Sequence, residues 1–215
     1  MKRSKERGSP VITRTIRNKK QAFKIPMIIF TVLLSISLVG FFAYSPLQID
    51  SPQNPSYVTE AQRMIEQINR LEQGVKADPG NVNLLISLGN HFYDLSMFYA
   101  AYGDLEKATR YIEESTKPYS QALEINDNLV DVRVDLATAF FYAGENDLAE
   151  EQFKQAVAHD PTFINGLVNY GVFLYSVRED KNAALEQWEA ALKLDPDPLI
   201  ASSIEEMITR VSGED

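Results

Sequence analysis

Apolar residues recur at helical spacing from residue 57 to the end of the chain. Val58, Ala61, Ile65 and Ile68 are separated by three or four positions, which places them on one side of a helix. The segment DPGN, residues 78–81, ends this pattern because proline and glycine do not continue a helix. No run of alternating apolar and polar residues is long enough to be a strand. The sequence therefore predicts an all-α fold for this region.

Two segments of the chain, residues 142–161 and 176–196, carry similar residues at the same spacing when they are aligned on their Asp-Pro ends. The matched pairs are Ala149 with Ala184, Phe153 with Trp188, Ala156 with Ala191 and Pro161 with Pro196. Small residues let the two helices of a hairpin approach closely, and a large aromatic residue fills the gap toward the next hairpin. The proline ends the second helix. The pattern predicts helical hairpins in tandem.

This pattern resembles the tetratricopeptide repeat (TPR) family, whose unit is a 34-residue helix–turn–helix. The resemblance implies an α-solenoid, a stack of such hairpins, over residues 57–215. The predicted parts are a degenerate half repeat at 57–81, an extended repeat at 82–129, two repeats at 130–163 and 164–198, and a capping helix at 199–212.

The repeat at 82–129 departs from the family pattern in length. Gly89 precedes its aromatic partner Tyr119 by 30 residues, whereas Ala137 precedes Phe153 by 16. We expect both helices of this hairpin to be about two turns longer than those of its neighbours. The last repeat has one extra residue near the turn at 178–182.

The resemblance also implies a binding surface, because the first helices of successive repeats line a concave groove in this family. The corresponding positions here are Asn83, Ile86, Asn90, Tyr93, Asp131, Val134, Thr138, Phe141, Asn165, Val168, Val172 and Tyr175. The alternative is that these residues pack between repeats. Chaperone-binding members hold a terminal carboxylate with basic residues, but here the equivalent positions offer Asn90 and Asn169 and no base. A basic or apolar segment of a protein partner suits such a groove better.

Basic and acidic residues are distributed unevenly along the chain. Of its 21 Lys and Arg and 30 Asp and Glu, nine bases and one acid fall in residues 1–24. The remainder holds 12 bases and 29 acids, a net charge of −17. A basic tail at 1–24 thus precedes an acidic body.

An apolar run, IPMIIFTVLLSISLVGFFAY, occupies residues 25–44 between the two charged regions. Twenty residues of helix extend ~30 Å, the thickness of the bilayer interior. A cleaved signal peptide is the main alternative, but the run is long and Pro46 follows the nearest small-residue site. We predict a transmembrane signal anchor at 25–45 and a proline-rich linker at 46–56. The bases before the anchor predict a cytoplasmic N-terminus and an extracytoplasmic TPR domain, with a bacterial cell membrane favoured.

Residues that usually carry catalysis or bind metal are scarce. The chain has no cysteine and two histidines, His91 and His159, which are far apart in sequence. No glycine-rich phosphate loop or nucleophile motif is present. We predict no enzyme activity, cofactor, metal site or nucleic-acid partner.

The favoured function is a membrane-anchored adaptor or scaffold that binds a partner polypeptide in its groove. Assembly or quality control of an envelope complex is the expected setting. Two alternatives stay open: a self-associating structural membrane protein, forming a homo-oligomer, and an organelle-surface receptor with a cytosolic TPR domain.

Overall fold

The structure, a computed structural model, describes residues 55–213. This part of the chain is helical. Its α-helices are α1 (Pro55–Ala77), α2 (Val82–Ala101), α3 (Leu105–Ile125), α4 (Val130–Ala143), α5 (Asn146–His159), α6 (Ile164–Phe173), α7 (Lys181–Leu192) and α8 (Pro198–Ser212), and a π-helical turn, Leu174–Arg178, follows α6. The predicted tail at 1–24, the predicted anchor at 25–45 and linker residues 46–54 lie outside the described residues. Within residues 55–213, no helix combines the length and apolarity needed to span a membrane.

Consecutive helices pack as hairpins that stack on one another. The pairs are α2 with α3, α4 with α5 and α6 with α7, and α1 and α8 pack against the two ends. The second helix of one hairpin contacts the first helix of the next, and α4 also contacts α6 directly. The prediction of an all-α repeat solenoid is therefore confirmed for the described residues.

Small residues opposite large aromatic residues join the two helices of a hairpin. Gly89 on α2 faces the ring of Tyr119 on α3, and Gly171 on α6 faces the indole of Trp188 on α7. Both aromatic side chains are almost completely buried. A side chain at either glycine would hold the helices apart, so the glycines set the helix–helix distance.

The hairpin of α2 and α3 is longer than its neighbours, as its sequence spacing predicts. These helices contain 20 and 21 residues, whereas α4 and α5 contain 14 each. The added turns carry an aromatic cluster that holds the start of α1, with ring centroids of Tyr57 and Phe98 5.2 Å apart and those of Tyr57 and Tyr102 4.7 Å apart. The first part of the stack therefore has its own apolar core.

The extra residue of the last repeat is accommodated in the π-helical turn at the end of α6. A turn with i to i+5 hydrogen bonding contains one residue more than an α-helical turn. Glu179 then adopts a left-handed conformation, with φ of 55°, and the Asp180 N–H donates to the Leu174 carbonyl at 3.1 Å. The Asp180 carboxylate accepts from the Ala183 N–H and begins α7.

Arg133 joins the turn between α3 and α4 to helix α5. Its buried guanidinium donates to Gln152 and Gln155 at 2.8 and 2.6 Å, and to both the carbonyl and the carboxylate of Asp127. Asp127 occupies the position where the other repeats have proline. A hydrogen-bonded ion pair therefore fixes the turn that proline would otherwise stiffen.

Candidate partner-binding pocket

A pocket of about 310 Å³ opens where the first three hairpins meet. Helix α2 contributes three residues to its wall, α4 contributes two, and α3 and α6 contribute one each. The lining residues are Asn90, Tyr93, Asp94, Tyr119, Asp135, Thr138 and Asn169. Every one of these side chains carries a polar group, so the pocket is suited to a polar or charged ligand rather than an apolar one.

Helix geometry explains why these residues converge. Asn90, Tyr93 and Asp94 are spaced three and four residues apart, so α2 presents them on one face. Asp135 and Thr138 share a face of α4 for the same reason. Tyr119 reaches the pocket because Gly89 leaves room for its ring beside α2.

Some of the pocket residues are held in place by hydrogen bonds. The Tyr119 hydroxyl donates to Asn90 Oδ1 at 2.7 Å, and the Thr138 hydroxyl donates to the Val134 carbonyl at 2.8 Å. The Tyr93 ring lies edge-on to Tyr142, with centroids 6.2 Å apart. These contacts fix the wall of the pocket before any ligand binds.

Asp94, Asp135 and Asn169 make no side-chain hydrogen bond or ion pair with another described residue. Asp94 and Asp135 both keep part of their surface exposed, so a ligand that enters the pocket can reach both carboxylates. No Lys or Arg is among the residues that line the pocket. The pocket therefore presents carboxylate and amide groups that a ligand can engage.

The electrostatics of the two carboxyl groups reflect their surroundings. Loss of solvation raises the pKa of Asp135 to about 6, and the neighbouring Asp131 carboxylate adds to the rise. Loss of solvation also raises the pKa of Asp94, although His91 opposes this shift. Desolvation and then the charges of Asp135 and Asp94 raise the pKa of Tyr119, which indicates that both carboxylates lie near its hydroxyl.

Replacing Asp135 with asparagine is expected to raise the melting temperature at pH 8 more than at pH 4. The carboxyl has a pKa of about 6 in the folded protein and about 4 in an unfolded chain. The folded state therefore binds this proton more tightly, and the group disfavours folding increasingly as pH rises through that window. Asparagine removes this effect.

Thermal unfolding of the full chain followed by circular dichroism measures this difference. Glu189→Gln is the matched control, because it removes one exposed carboxylate on α7 instead. A stability gap between wild type and Asp135→Asn that did not change with pH would contradict the assignment.

Ten of the twelve predicted groove residues fall into three environments. Asn90, Tyr93 and Thr138 line the pocket. Exposed positions near it are Asn83, Asp131 and Asn165. The half-buried positions are Ile86, Val168, Val172 and Tyr175. Ten of the twelve predicted residues thus retain some exposure.

Val134 and Phe141 require a correction, because both are buried in the core of the stack. They are 2% and 4% exposed, and the Phe141 ring packs edge-on against Phe173 with centroids 5.8 Å apart. Gly166 allows α6 to approach closely here: a Cβ at that position would lie 3.3 Å from Val134 Cγ2. The close approach of α6 to α4 covers these two side chains, so neither offers a surface to a partner.

Asp94, Tyr119 and Asp135 were not predicted as pocket residues, whereas Asn169 was noted only as the equivalent of a clamp position. The family pattern assigns the groove to other positions of the first helices, and Tyr119 belongs to a second helix. A usable signal was present, since Asp94 follows Asn90 by four residues and Asp135 precedes Thr138 by three. These aspartates lie on the same helix faces as the predicted groove residues Asn90 and Thr138, so this spacing could have indicated a single site.

No metal-binding group of three or more His, Cys, Asp or Glu side chains occurs in the part of the chain that the structure describes. The two histidines make separate local contacts. His91 Nδ1 lies 2.8 Å from the Ser87 carbonyl, and His159 Nε2 lies 4.0 Å from the Asp127 carboxylate.

Similarity to known protein sequences covers part of the chain. No protein-family profile matches the chain. It is 34% identical over 79 residues to the type IV pilus assembly protein PilF of Pseudomonas aeruginosa, a match that covers 37% of this chain and 31% of PilF. The chain thus spans about a third of that relative.

Among solved structures, the chain is similar to TTC0263, a thermophilic TPR protein of Thermus thermophilus. The identity is 17% and the TM-score is 0.56, and the match covers 91% of this chain and 96% of TTC0263. The chain is less similar to YrrB, a TPR protein with an unusual peptide-binding site. That match has a TM-score of 0.40 and 18% identity, and it covers 82% of this chain and 97% of YrrB.

Proposed function

Because the chain has the tetratricopeptide repeat fold, we propose that it is a protein-interaction scaffold that binds a segment of a partner polypeptide. The binding face is formed by α2, α4 and α6, the first helices of the three hairpins. The pocket between these helices is the main support for this proposal. Two of its carboxylates and one of its side-chain amides have no partner among the described residues.

The surface around the pocket supports a peptide ligand. Exposed polar residues on all three first helices can hydrogen-bond an extended backbone, and half-buried apolar residues such as Val172 and Tyr175 can pack against its side chains. A binding face with apolar anchors and a polar rim is typical of protein interfaces.

The charge of the face favours a basic or apolar segment in the partner. The chain outside residues 1–24 has a net charge of −17, and the pocket contains two aspartates and no base. Such a field accelerates association with a basic partner and disfavours nucleic-acid phosphates. The proposed role is binding without catalysis.

Assembly or quality control of a bacterial envelope complex is the setting that we propose. The match to a type IV pilus assembly protein supports a role in assembly, although it spans only 31% of that relative. The apolar run at 25–44 supports a membrane anchor that places residues 57–215 outside the cytoplasm. The homo-oligomer remains the competing hypothesis.

Photocrosslinking from the binding face tests this function. A photoreactive amino acid would replace Asn83, Asp131 or Asn165, one exposed position on each first helix. The matched controls are Glu113, Glu151 and Glu186, exposed positions on the second helices α3, α5 and α7. Replacement of exposed residues leaves the core unchanged, so the variants should fold.

The proposal predicts that the three first-helix positions capture the same foreign protein and that the second-helix positions do not. Capture of a second copy of this chain would support self-association instead. Capture only from the second helices would reject the assigned face.

A further inference from the structure

We propose that the pocket between α2, α3, α4 and α6 receives an arginine side chain of the partner polypeptide. This inference rests on the proposed function, because it assumes that a partner segment lies on the face where the pocket opens. It adds the chemistry that would fix the register of that segment.

The hydrogen-bonding groups of the pocket match a guanidinium. Asp94 and Asp135 offer carboxylate oxygens and Asn169 offers an amide oxygen, and none of the three has a partner among the described residues. A guanidinium has five N–H donors in a planar fork and no acceptor, so it can engage several of these oxygens at once. A lysine ammonium has three donors from a single point.

The half-buried Tyr93 side chain adds a second source of affinity for a cation. Tyr119 also lines the pocket, but its ring is 2% exposed and packs against Gly89, so it contributes a fixed wall whose hydroxyl donates to Asn90. A guanidinium stacks on aromatic faces and is more weakly hydrated than an ammonium. Because these walls are fixed before binding, little ordering is required when the ligand enters.

Other ligand classes fit the pocket less well. An anion would face two carboxylates with no basic residue among the lining side chains. In residues 55–213, no set of three or more His, Cys, Asp or Glu side chains forms a metal site. A neutral donor would supply no counter-charge to the two carboxylates, and its hydrogen bonds to them would be weaker than those of a cation.

The pocket should bind arginine more strongly as pH rises, because its carboxyl groups must be ionised. Desolvation raises the pKa of Asp135 to about 6 and raises that of Asp94. The titratable groups around the two carboxyls are Asp131 on α4, His91 and Tyr93 on α2, and Tyr119 on α3. A bound cation lowers both carboxyl pKa values, so binding and proton release are linked.

Nuclear magnetic resonance titration of the full-length chain with small probes tests the inference. The first probe is N-acetyl-arginine methylamide, for which we expect a Kd on the order of millimolar because one residue makes few contacts. The neutral isostere N-acetyl-citrulline methylamide controls for charge, N-acetyl-lysine methylamide controls for shape, and calcium chloride tests for a divalent cation.

We expect the arginine probe to shift the resonances of Asn90, Thr138 and Asn169. The citrulline probe and calcium should have little effect, and the lysine probe should bind more weakly than the arginine probe. Asp135→Asn and Asp94→Asn should each weaken arginine binding by roughly 10-fold or more, since a charge-assisted hydrogen bond is lost. Binding should also fall between pH 7.5 and pH 5. The control Glu189→Gln should bind like the wild type.

Several results would overturn the inference: equal binding of arginine and citrulline, tighter binding of lysine or calcium, or shifts outside the pocket. The outcome is separable from the proposed function. If first-helix crosslinks capture a foreign protein but arginine does not bind, only this inference fails. If arginine fills the pocket but those crosslinks capture nothing, the chemistry assigned to the pocket is correct, but the proposed function fails, and with it the assignment of that arginine to a partner polypeptide.

Discussion

Replacing Trp188 with alanine is expected to lower the free energy of unfolding by ~3–5 kcal/mol. The indole is 1% exposed and lies between α6 and α7, where it fills the space above Gly171. Its Nε1–H donates to the Val168 carbonyl at 3.2 Å. Removing the side chain would leave a cavity in the largest core cluster of the stack and would remove this hydrogen bond.

Urea unfolding of the full chain, followed by circular dichroism, measures the loss for Trp188→Ala. Trp188→Phe keeps an aromatic ring but removes the donor, so it should cost clearly less. Leu199→Ala is the surface control, because that leucine is 80% exposed, and its effect should stay within about 0.5 kcal/mol. An alanine variant as stable as the wild type would mean that α6 and α7 do not pack through this residue.

Gly89→Ala is expected to destabilise the long hairpin by ~1–3 kcal/mol, although alanine favours helix formation over glycine. A Cβ at this position would lie 2.5 Å from Cε1 and 2.6 Å from Cδ1 of Tyr119. Tyr119 is 2% exposed and cannot move aside without disturbing the core. Since its hydroxyl also holds Asn90, the variant should weaken arginine binding in the pocket as well.

Gly80→Ala is the matched control for this prediction, because a Cβ there has no neighbour within 4 Å. Its effect on the urea midpoint should be small. Shortening the aromatic side chain in the double variant Gly89→Ala, Tyr119→Leu should recover part of the lost stability, since the two positions are in contact. If Gly89→Ala instead stabilised the chain, α2 and α3 would have to be farther apart than described.

The helical hairpins could be predicted from sequence because their packing follows a simple spacing rule. Gly171 and Trp188 form the contact that the repeat pattern implies, and Gly89 and Tyr119 form the same contact despite the inserted turns. The greater length of α2 and α3 could be inferred from that spacing alone. These features depend on contacts between the two helices of one hairpin, so residues close to one another in the sequence are enough to predict them.

The pocket could be predicted only in part, because it depends on how three hairpins are placed relative to one another. Asn90, Tyr93 and Thr138 were expected from the family pattern, whereas Asp94 and Asp135 were not. The burial of Val134 and Phe141 depends on how closely α6 approaches α4 at Gly166. Spacing within a single helix does not determine that distance.

Photocrosslinking from position 165, next to the pocket, is the most direct test of the proposed binding. The proposal is that the face of α2, α4 and α6 binds a basic segment of a foreign protein. Mass spectrometry of the linked peptide then identifies what lies on this face. We expect a peptide from another protein with an arginine within a few residues of the crosslink, and reduced capture in the Asp135→Asn background. A linked peptide from this chain itself, or from an acidic segment captured equally well by Asp135→Asn, would contradict the proposed binding.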